Sequence, residues 1–306
     1  MKVAVTGGTG FVGVRLIETL HRLGDRPVLL TRNPERAQRL FPPAFFPNVT
    51  VVGYDPLQPG DWQQALAGCD GVVNLAGAPI ADIPWSAARK QAIRESRVRG
   101  TEVLVAAIAQ SHPRPKVLVS GSAIGYYGVD PVKEFDEYSF PGEDFLATVC
   151  KDWERAADRA SDLGLRVVKL RTGLVLGYGG VLARLLPLFR NGLGGVVGSG
   201  RQWFSWIHRD DLVNLIVFAL TSDRLLGALN GTAPQPVTNR ELTRTLAQVL
   251  QKPAFLPVPA IALQALYGEA AILVLAGQKV LPKKALQNGF RFAYPELPMA
   301  LRQILS

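Results

Sequence analysis

Four glycines close to the start of the chain have the spacing of a loop that binds phosphate. The segment "VAVTGGTGFVGVRL" places Gly7, Gly8, Gly10 and Gly13 between a short apolar run and a stretch with helical periodicity. Such glycines permit a tight turn and let a pyrophosphate approach the backbone, while the free N–H groups of the following helix favour an anion. Because the loop follows a predicted strand and opens a predicted helix, the sequence predicts dinucleotide binding.

The end of the second predicted strand indicates which dinucleotide is bound. Domains that bind NAD place an acid there for the ribose 2′-hydroxyl, about 20 residues past the loop. This chain has Thr31, Arg32 and Asn33 instead, and Glu35 is the first acid. A guanidinium can hold two phosphate oxygens at once, so Arg32 favours NADP(H) over NAD. The alternative is a surface arginine at a strand end.

Short β-branched runs alternate with helix-length segments over the first 170 residues. Strands are predicted at 2–5, 27–31, 49–53, 71–76, 116–121 and 166–171, and helices near 11–23, 34–40, 61–67, 86–110 and 144–163. Continuous apolar strands separated by helices are typical of a parallel sheet that is covered on both faces. The predicted fold class is therefore α/β, a doubly wound parallel sheet of the Rossmann type.

The pattern changes after Arg171. Glycine-rich loops follow, and further helices are predicted from Asp210 and, behind a capping box, from Thr238. We expect a dinucleotide-binding domain over 1–171, with sheet elements continuing to about 250, and a smaller α+β lid over 172–306 that binds substrate.

The composition narrows the class of protein. The two cysteines and three histidines lack the spacing of a metal site, so no metal is expected. The formal charge of +9 is spread along the chain, which favours a solvated basic face over a nucleic-acid partner. The stretch "IALQALYGEAAILVLAGQKVL" is interrupted by polar residues, so it predicts helical core and not a membrane span. Because no leader precedes the first strand, we expect a cytoplasmic protein.

Several stretches together resemble one subgroup of the extended short-chain dehydrogenase/reductases. They are "TGGTGFVG", "NLAG", "SRVRGT", "SGSAIGYYG", "DFLATVCKDWE", "GSGRQWFSWIHRDDL" and "QKVLPKKALQNGFRFAYPEL". The chain is similar to atypical, SulA-like members of the NAD-dependent epimerase/dehydratase family, with a DUF1731-like C-terminal module at 254–301. The resemblance covers nearly the whole chain and implies an oxidoreductase or epimerase that forms a homodimer.

The resemblance also implies which residues hold the cofactor and the substrate. The residues expected at the pyrophosphate and adenosine end are Gly7, Gly10, Phe11, Val12, Gly13, Arg32 and, near the adenine, Asp55. The residues expected to pass the cofactor after the fourth strand are Asn74, Leu75, Ala76 and Gly77. Ser122 is expected to hydrogen-bond the reacting oxygen, and Lys151 to hold the nicotinamide ribose.

One catalytic residue of the superfamily is missing. Active members carry Tyr-x-x-x-Lys on one helix face, where the lysine lowers the tyrosine pKa so that the phenol can exchange the substrate proton. Counting back four residues from Lys151 reaches Ala147, and the chain has no tyrosine–lysine pair of this spacing. Arg97, in "SRVRGT", stands where the superfamily has an asparagine.

Other residues are candidates for the missing proton donor and for substrate contacts. Tyr126 and Tyr127 are the first candidates for the proton, with aromatic packing at the cleft wall as their alternative, and Cys150 is a weaker one. Gln202 and Trp203 are candidates to line the substrate pocket, although core packing is an equal interpretation for the tryptophan. His208 is either a site residue or a structural hydrogen-bonding group.

Two functions remain open from the sequence. The first is an NADP(H)-dependent oxidoreductase or epimerase that acts on a small carbonyl or sugar-like substrate. The second is an NADPH-binding regulatory protein with little or no catalysis, acting through a partner in cell or plastid division.

Overall fold

The computed structural model describes residues 1–81 and 83–306. Within them the strands are β1 Lys2–Thr6, β2 Arg26–Thr31, β3 Thr50–Gly53, β4 Gly71–Asn74, β5 Val117–Ala123, β6 Asp130–Phe135, β7 Arg166–Thr172, β8 Leu174–Leu176, β9 Trp203–Phe204, β10 Trp206–His208, β11 Gly227–Gly231, β12 Val237–Thr238 and β13 Gln278–Val280. The α-helices are α1 Phe11–Arg22, α2 Pro34–Leu40, α3 Ala87–Gln110, α4 Phe145–Asp158, α5 Gly180–Arg190, α6 Arg209–Thr221, α7 Asn239–Leu250, α8 Ala260–Tyr267, α9 Ile272–Leu275, α10 Lys283–Gln287 and α11 Leu297–Leu305. Shorter 3₁₀ helices lie at Asp61–Leu66, Ile124–Tyr127, Ser161–Leu163 and Gly268–Ala271.

A seven-stranded sheet with the order β11-β7-β5-β4-β1-β2-β3 forms the centre of the molecule, and all its strand pairs are parallel. The inner strands are apolar and buried on both faces because helices cover each side, as at Val3, Ala4 and Val5. The predicted doubly wound parallel sheet is confirmed. The strand order reverses between β1 and β4, and ligands bind at the carboxyl ends of strands at such a point.

Some local predictions differ from the structure in type or length. The helix predicted near 144–163 ends at Asp158, and a separate 3₁₀ helix follows at Ser161–Leu163. The segment Asp61–Leu66 is a 3₁₀ helix and not an α-helix, as is common for a short connector. Strand β4 ends at Asn74 and not at residue 76, because the chain leaves the sheet there to pass the glycine loop. The predicted capping box is confirmed: Thr238 Oγ1 accepts from Glu241 N at 3.3 Å, and Glu241 Oε2 accepts from Thr238 N at 2.6 Å.

The apolar stretch from Ile261 predicts helical core, and this prediction is wrong for its first helix, whereas Ala270 and Ala271 behind that helix are buried. The stretch forms α8, a 3₁₀ turn and α9, and no residue of α8 is buried. Ile261 and Leu266 are 75% and 64% exposed. Apolar composition predicts a helix here but cannot say which side of it another element covers. None of the helices in the described part of the chain combines the length and the apolar character that crossing a membrane requires.

The C-terminal segment is fixed to the start of α6 by buried polar contacts. The Asp211 carboxylate is fully buried and accepts hydrogen bonds from Ala293 N at 2.8 Å and Tyr294 N at 2.9 Å. Next to it, His208 Nδ1 accepts from Asp210 N at 3.1 Å, so Nε2 carries the proton and donates to Gln303 Oε1 at 2.9 Å. His208 is therefore held neutral as a helix cap.

This arrangement predicts a pH dependence of stability. Burial lowers the pKa of His208 below its ordinary value of 6.5, so the unfolded chain takes up this proton more readily than the folded one. The free energy of unfolding therefore decreases as the pH falls below 6.5, by up to about 1.4 kcal/mol per pH unit for one proton.

The variant His208→Asn keeps an acceptor for Asp210 N and does not titrate. We expect urea unfolding followed by circular dichroism to show a smaller slope with pH for this variant. The matched control is His112→Asn at an exposed position, which should retain the wild-type slope. Equal slopes for His208→Asn and wild type would contradict the prediction.

Candidate functional site

The glycine loop leaves a row of backbone N–H groups open at the start of α1. Gly7 has a φ of +70°, and a Cβ on it would lie 2.7 Å from the carbonyl carbon of Leu75. A Cβ on Gly13 would lie 2.2 Å from Gly7 O, so neither position accepts a side chain. The first bond of α1 runs from Val14 N to Gly10 O at 2.9 Å, which leaves the N–H groups of residues 11–13 for an anion.

Phe11 and Arg209 close one side of this loop. The Phe11 ring packs against Gly177, Gly179 and Gly180, where an added Cβ would lie 2.9–3.0 Å from ring atoms. The Arg209 guanidinium lies 5.0 Å from the centre of the same ring. Its Nε is buried and has no hydrogen-bond partner among the described residues. Arg209 is not among the site residues predicted from the sequence, and it comes from the distant "WIHRDDL" segment.

The residues predicted for the adenosine end gather where β2 and β3 end. The two strands run side by side, and Tyr54 N donates to Thr31 O at 3.0 Å. Arg32 is exposed, and within the described chain no hydrogen bond or ion pair holds it. The Asp55 carboxylate accepts from Leu57 N at 2.8 Å and is also exposed. Both side chains are accessible to a ligand at this edge.

Asn74 is a positioning residue in this structure. Its Oδ1 accepts from Thr6 Oγ1 at 2.7 Å, and its Nδ2 donates to Thr101 Oγ1 at 2.9 Å. Trp153 Nε1 also donates to Thr101, at 2.9 Å. This buried network uses both ends of the amide, so the side chain holds β1, β4 and α3 together. The backbone of Leu75 and Ala76 then lies against the glycine loop.

Gly77 lies against the side chain of Arg97. A Cβ on Gly77 would lie 3.0 Å from the Arg97 guanidinium carbon. Arg97 Nη1 donates to Ala78 O at 3.0 Å and to Ile93 O at 3.2 Å. Burial lowers the pKa of Arg97. The side chain thus brings a partly desolvated cation to the edge of the site.

A cavity of about 530 Å³ lies at the carboxyl ends of β5 and β7. Its lining comes from α4, from α3 and the segment before it, from β9 and from the C-terminal residues 269–278. Among the predicted site residues, Ser122 and Trp203 line the cavity, as does Cys150. The cavity therefore brings together residues that are more than 100 positions apart.

Ser122 is joined to a buried ion pair. Its Oγ donates to Glu154 Oε1 at 2.7 Å. Arg171 donates to the same carboxylate from Nε at 2.8 Å and from Nη2 at 2.9 Å. The side chains of Arg171 and Glu154 are only 4% and 6% exposed, and the pairing raises the pKa of Arg171. Ser122 therefore has a negatively charged acceptor on the side away from the cavity.

The two predicted tyrosines lie in the same network and not on the cavity wall. Tyr127 Oη donates to Asn230 Oδ1 at 2.7 Å and accepts from Arg171 Nη1 at 3.0 Å. Burial raises the pKa of Tyr127 to about 12, so its phenol stays protonated near neutral pH and is a poor proton donor. The centre of the Tyr126 ring lies 3.4 Å from Cζ of the Arg171 guanidinium. These placements agree with the packing interpretation.

The face that α4 presents to the cavity does not include Ala147 or Lys151, the positions that the resemblance aligns with the tyrosine and the lysine. Its cavity-lining residues are Phe145, Leu146, Val149, Cys150 and Trp153. Ala147 is fully buried, and Lys151 does not line the cavity. Within the described residues no hydrogen bond or ion pair holds Lys151. Burial raises the pKa of Cys150 to about 12, so its thiol is not a reactive thiolate.

The structure separates the three residues predicted to contact substrate. Trp203 lines the cavity and donates from Nε1 to Pro131 O at 3.1 Å. Gln202 lies outside the lining, where Nε2 donates to Val197 O at 3.0 Å and Val274 O at 3.1 Å. His208 is not in the lining either, since it caps α6 beneath the C-terminal segment.

Glu154 and Arg171 are not among the site residues predicted from the sequence. One signal for Glu154 was available, because it falls within the buried stripe of α4 that includes Val149, Trp153 and Ala157. A carboxylate in an apolar stripe must find a partner, since burying an unpaired charge is very costly. The sequence does not say that the partner is Arg171 on β7.

The ion pair predicts a large loss of stability for Glu154→Gln. The substitution leaves the Arg171 charge buried without its carboxylate, which typically costs about 3–5 kcal/mol. Asp158→Asn on the same helix is the matched control. Asp158 forms an ion pair with Lys169, but the Asp158 side chain is 49% exposed. The control should cost less than about 1 kcal/mol. Urea unfolding measures both, and similar losses would contradict the prediction.

Comparison with known proteins identifies matches over nearly the whole chain. Residues 3–228 match the NAD dependent epimerase/dehydratase family, and residues 258–304 match DUF1731, a domain of unknown function. An epimerase family protein, the chloroplastic SDR39U1 homolog of Arabidopsis thaliana, is 46% identical over all of this chain and 87% of that protein. The family predicted from the motifs is therefore confirmed.

Two solved structures extend the comparison to three dimensions. The human epimerase family protein SDR39U1, solved with NADPH, has a TM-score of 0.87 at 35% identity and covers 99% of both chains. A nucleoside-diphosphate sugar epimerase from Corynebacterium glutamicum has a TM-score of 0.79 at 35% identity. That match covers all of this chain and 58% of the other.

Proposed function

Because the chain belongs to the NAD-dependent epimerase/dehydratase family, we propose that it is an atypical short-chain dehydrogenase/reductase that binds NADP(H). Its reaction is an oxidation–reduction or epimerisation of a small carbonyl or sugar-like substrate. The observation that carries the proposal is the strand order β5-β4-β1, which puts Ser122 and the glycine loop at one edge of the sheet with β4 alone between them. A dinucleotide over this edge reaches from the loop to Ser122.

The residues present fit such a cofactor. The N–H groups of residues 11–13 and the unpartnered Nε of Arg209 are suited to a diphosphate, and the exposed Arg32 to a 2′-phosphate. The NADPH bound by the human relative supports the same choice. When bound, the cofactor supplies a nicotinamide ring that gives or takes hydride.

Ser122 and Glu154 are suited to move the proton that the missing tyrosine moves elsewhere. A substrate hydroxyl that donates to Ser122 Oγ places its proton in line with the bond from Ser122 to Glu154. As the substrate O–H bond breaks, a new bond forms at Ser122 Oγ, and the former serine proton passes to Glu154. In the opposite direction the same protons return.

A second candidate is an NADPH-binding regulatory protein with little catalysis, acting through a partner in cell or plastid division. One observation favours it: Ala147 is fully buried at the tyrosine position, and Lys151 does not line the cavity. For either function we propose a homodimer, as the family resemblance implies, in the cytoplasm.

Cofactor choice is tested by calorimetric titration with NADPH and, separately, NADH. We expect tighter binding of NADPH, and we expect Arg32→Ala to weaken it about tenfold to a hundredfold, the usual effect of losing a charge-assisted bond. NADH affinity should not change. Arg39→Ala, at another exposed position nearby, is the control and should behave as wild type. Equal affinities for the two dinucleotides would contradict the role of Arg32.

The proton relay is tested by following NADPH oxidation at 340 nm with a panel of ketones and aldehydes. Ser122→Ala should lower the rate by about 10²- to 10⁴-fold and leave NADPH affinity unchanged, since only the proton step is affected. Ser120→Ala, two residues earlier on β5 and outside the cavity lining, is the matched control. Full activity of Ser122→Ala would exclude the relay, and an inactive wild type would favour the regulatory function.

A further inference from the structure

The walls of the cavity beside Ser122 are mainly apolar. The lining includes Trp85, Phe145 and Leu146 from α4 and the segment before α3, and Trp203, Ile272 and Leu273 from β9 and α9. Large apolar side chains of this kind bind an apolar body by removing its surface from water. Such walls do not suit sugar hydroxyls, because each hydroxyl that loses water needs a hydrogen-bond partner and an apolar side chain offers none.

The charges that line the cavity do not suit a diphosphate. Arg97 is the one cationic side chain among the described lining residues, whereas Asp144 and Glu269 are carboxylates. Arg97 already donates to two carbonyl oxygens, and Asp144 accepts from Ala147 N at 2.8 Å as the cap of α4. Glu269 forms an ion pair with Lys90. The diphosphate of a nucleoside diphosphate sugar carries two negative charges. It would need cations that this lining lacks.

Most remaining polar groups of the lining are engaged in bonds within the protein. Ser205 Oγ donates to Gln278 O at 2.7 Å and accepts from Val280 N at 2.9 Å. Gln278 Nε2 donates to Ile124 O at 2.7 Å, and Thr172 Oγ1 donates to Leu170 O at 3.4 Å. Ser122 differs from them, because its partner is a charged acceptor behind the wall. The cavity therefore offers one activated hydroxyl and an apolar space.

We propose that this cavity binds an aryl or alkyl ketone, or the corresponding alcohol, and not a nucleoside diphosphate sugar. The substrate oxygen lies at Ser122, and the apolar body lies between the wall of α4 and that of α9. This assignment rests on the proposed function for the reaction at Ser122. The assignment goes beyond the proposed function because it names the class of molecule that reacts.

The test is calorimetric titration of the full chain, saturated with NADP⁺ so that a ketone is not reduced. The probes are 2-acetylnaphthalene and UDP-glucose. We expect the ketone to bind at least a hundredfold more tightly than the nucleotide sugar. Stronger binding of UDP-glucose, or no binding of the ketone, would overturn the proposal.

A pair of variants locates the bound ketone. Leu273 lines the cavity, whereas Leu266 lies on the neighbouring α8, is 64% exposed and does not line it. Leu273→Glu should weaken ketone binding at least tenfold, because it places a charge against an apolar ligand, and Leu266→Glu should have no effect. Both positions are partly or largely exposed, and unchanged NADP⁺ affinity shows that the variants are folded. Equal effects of the two substitutions would overturn the proposal.

The cofactor titration separates this proposal from the proposed function. If NADP⁺ and NADPH do not bind, while the ketone still binds and Leu273→Glu still weakens it, the oxidoreductase function fails and the apolar site stands. If the dinucleotides bind and the ketone does not, the cofactor half of the proposed function stands and the substrate class is wrong.

Discussion

The buried ion pair between Glu154 and Arg171 is the constraint on which the site depends. Both charges are almost fully removed from water, at a cost that their attraction offsets only when further hydrogen bonds satisfy the remaining donors and acceptors. Those bonds come from Ser122 on β5 and from Tyr127, whose hydroxyl continues to Asn230 on β11. One electrostatic requirement thus fixes the positions of α4, β5, β7, β11 and the 3₁₀ helix Ile124–Tyr127 relative to one another.

The same network reaches the C-terminal segment and through it the cavity wall. Asn230 Nδ2 donates to Leu281 O, next to β13, and Ser205 bonds both Gln278 and Val280. Strand β13 also pairs with β6, and the segment before β13 lines the cavity together with α4. Hydrogen bonds position this wall, and apolar side chains form the surface that it presents to the cavity.

The cofactor half of the site is built differently. The glycine loop, the first turn of α1 and the end of β2 lie within the first 33 residues, and their geometry follows from backbone conformation at a few positions such as Gly7 and Gly13. Arg209 is the exception, since α6 brings it to Phe11 from far along the chain. The geometry that suits a dinucleotide is therefore set largely apart from α4, the helix on which the resemblance expects a tyrosine.

Local sequence was sufficient for the parallel sheet, the glycine loop, the accessible Arg32 and the cap at Thr238, because periodicity, glycine spacing and capping act over a few residues. Tertiary structure alone decided that Glu154 is buried against Arg171, that Lys151 does not line the cavity, and that α8 is exposed. The physical reason is that burial and charge pairing depend on which distant element covers a side chain. No local pattern in the sequence records that neighbour.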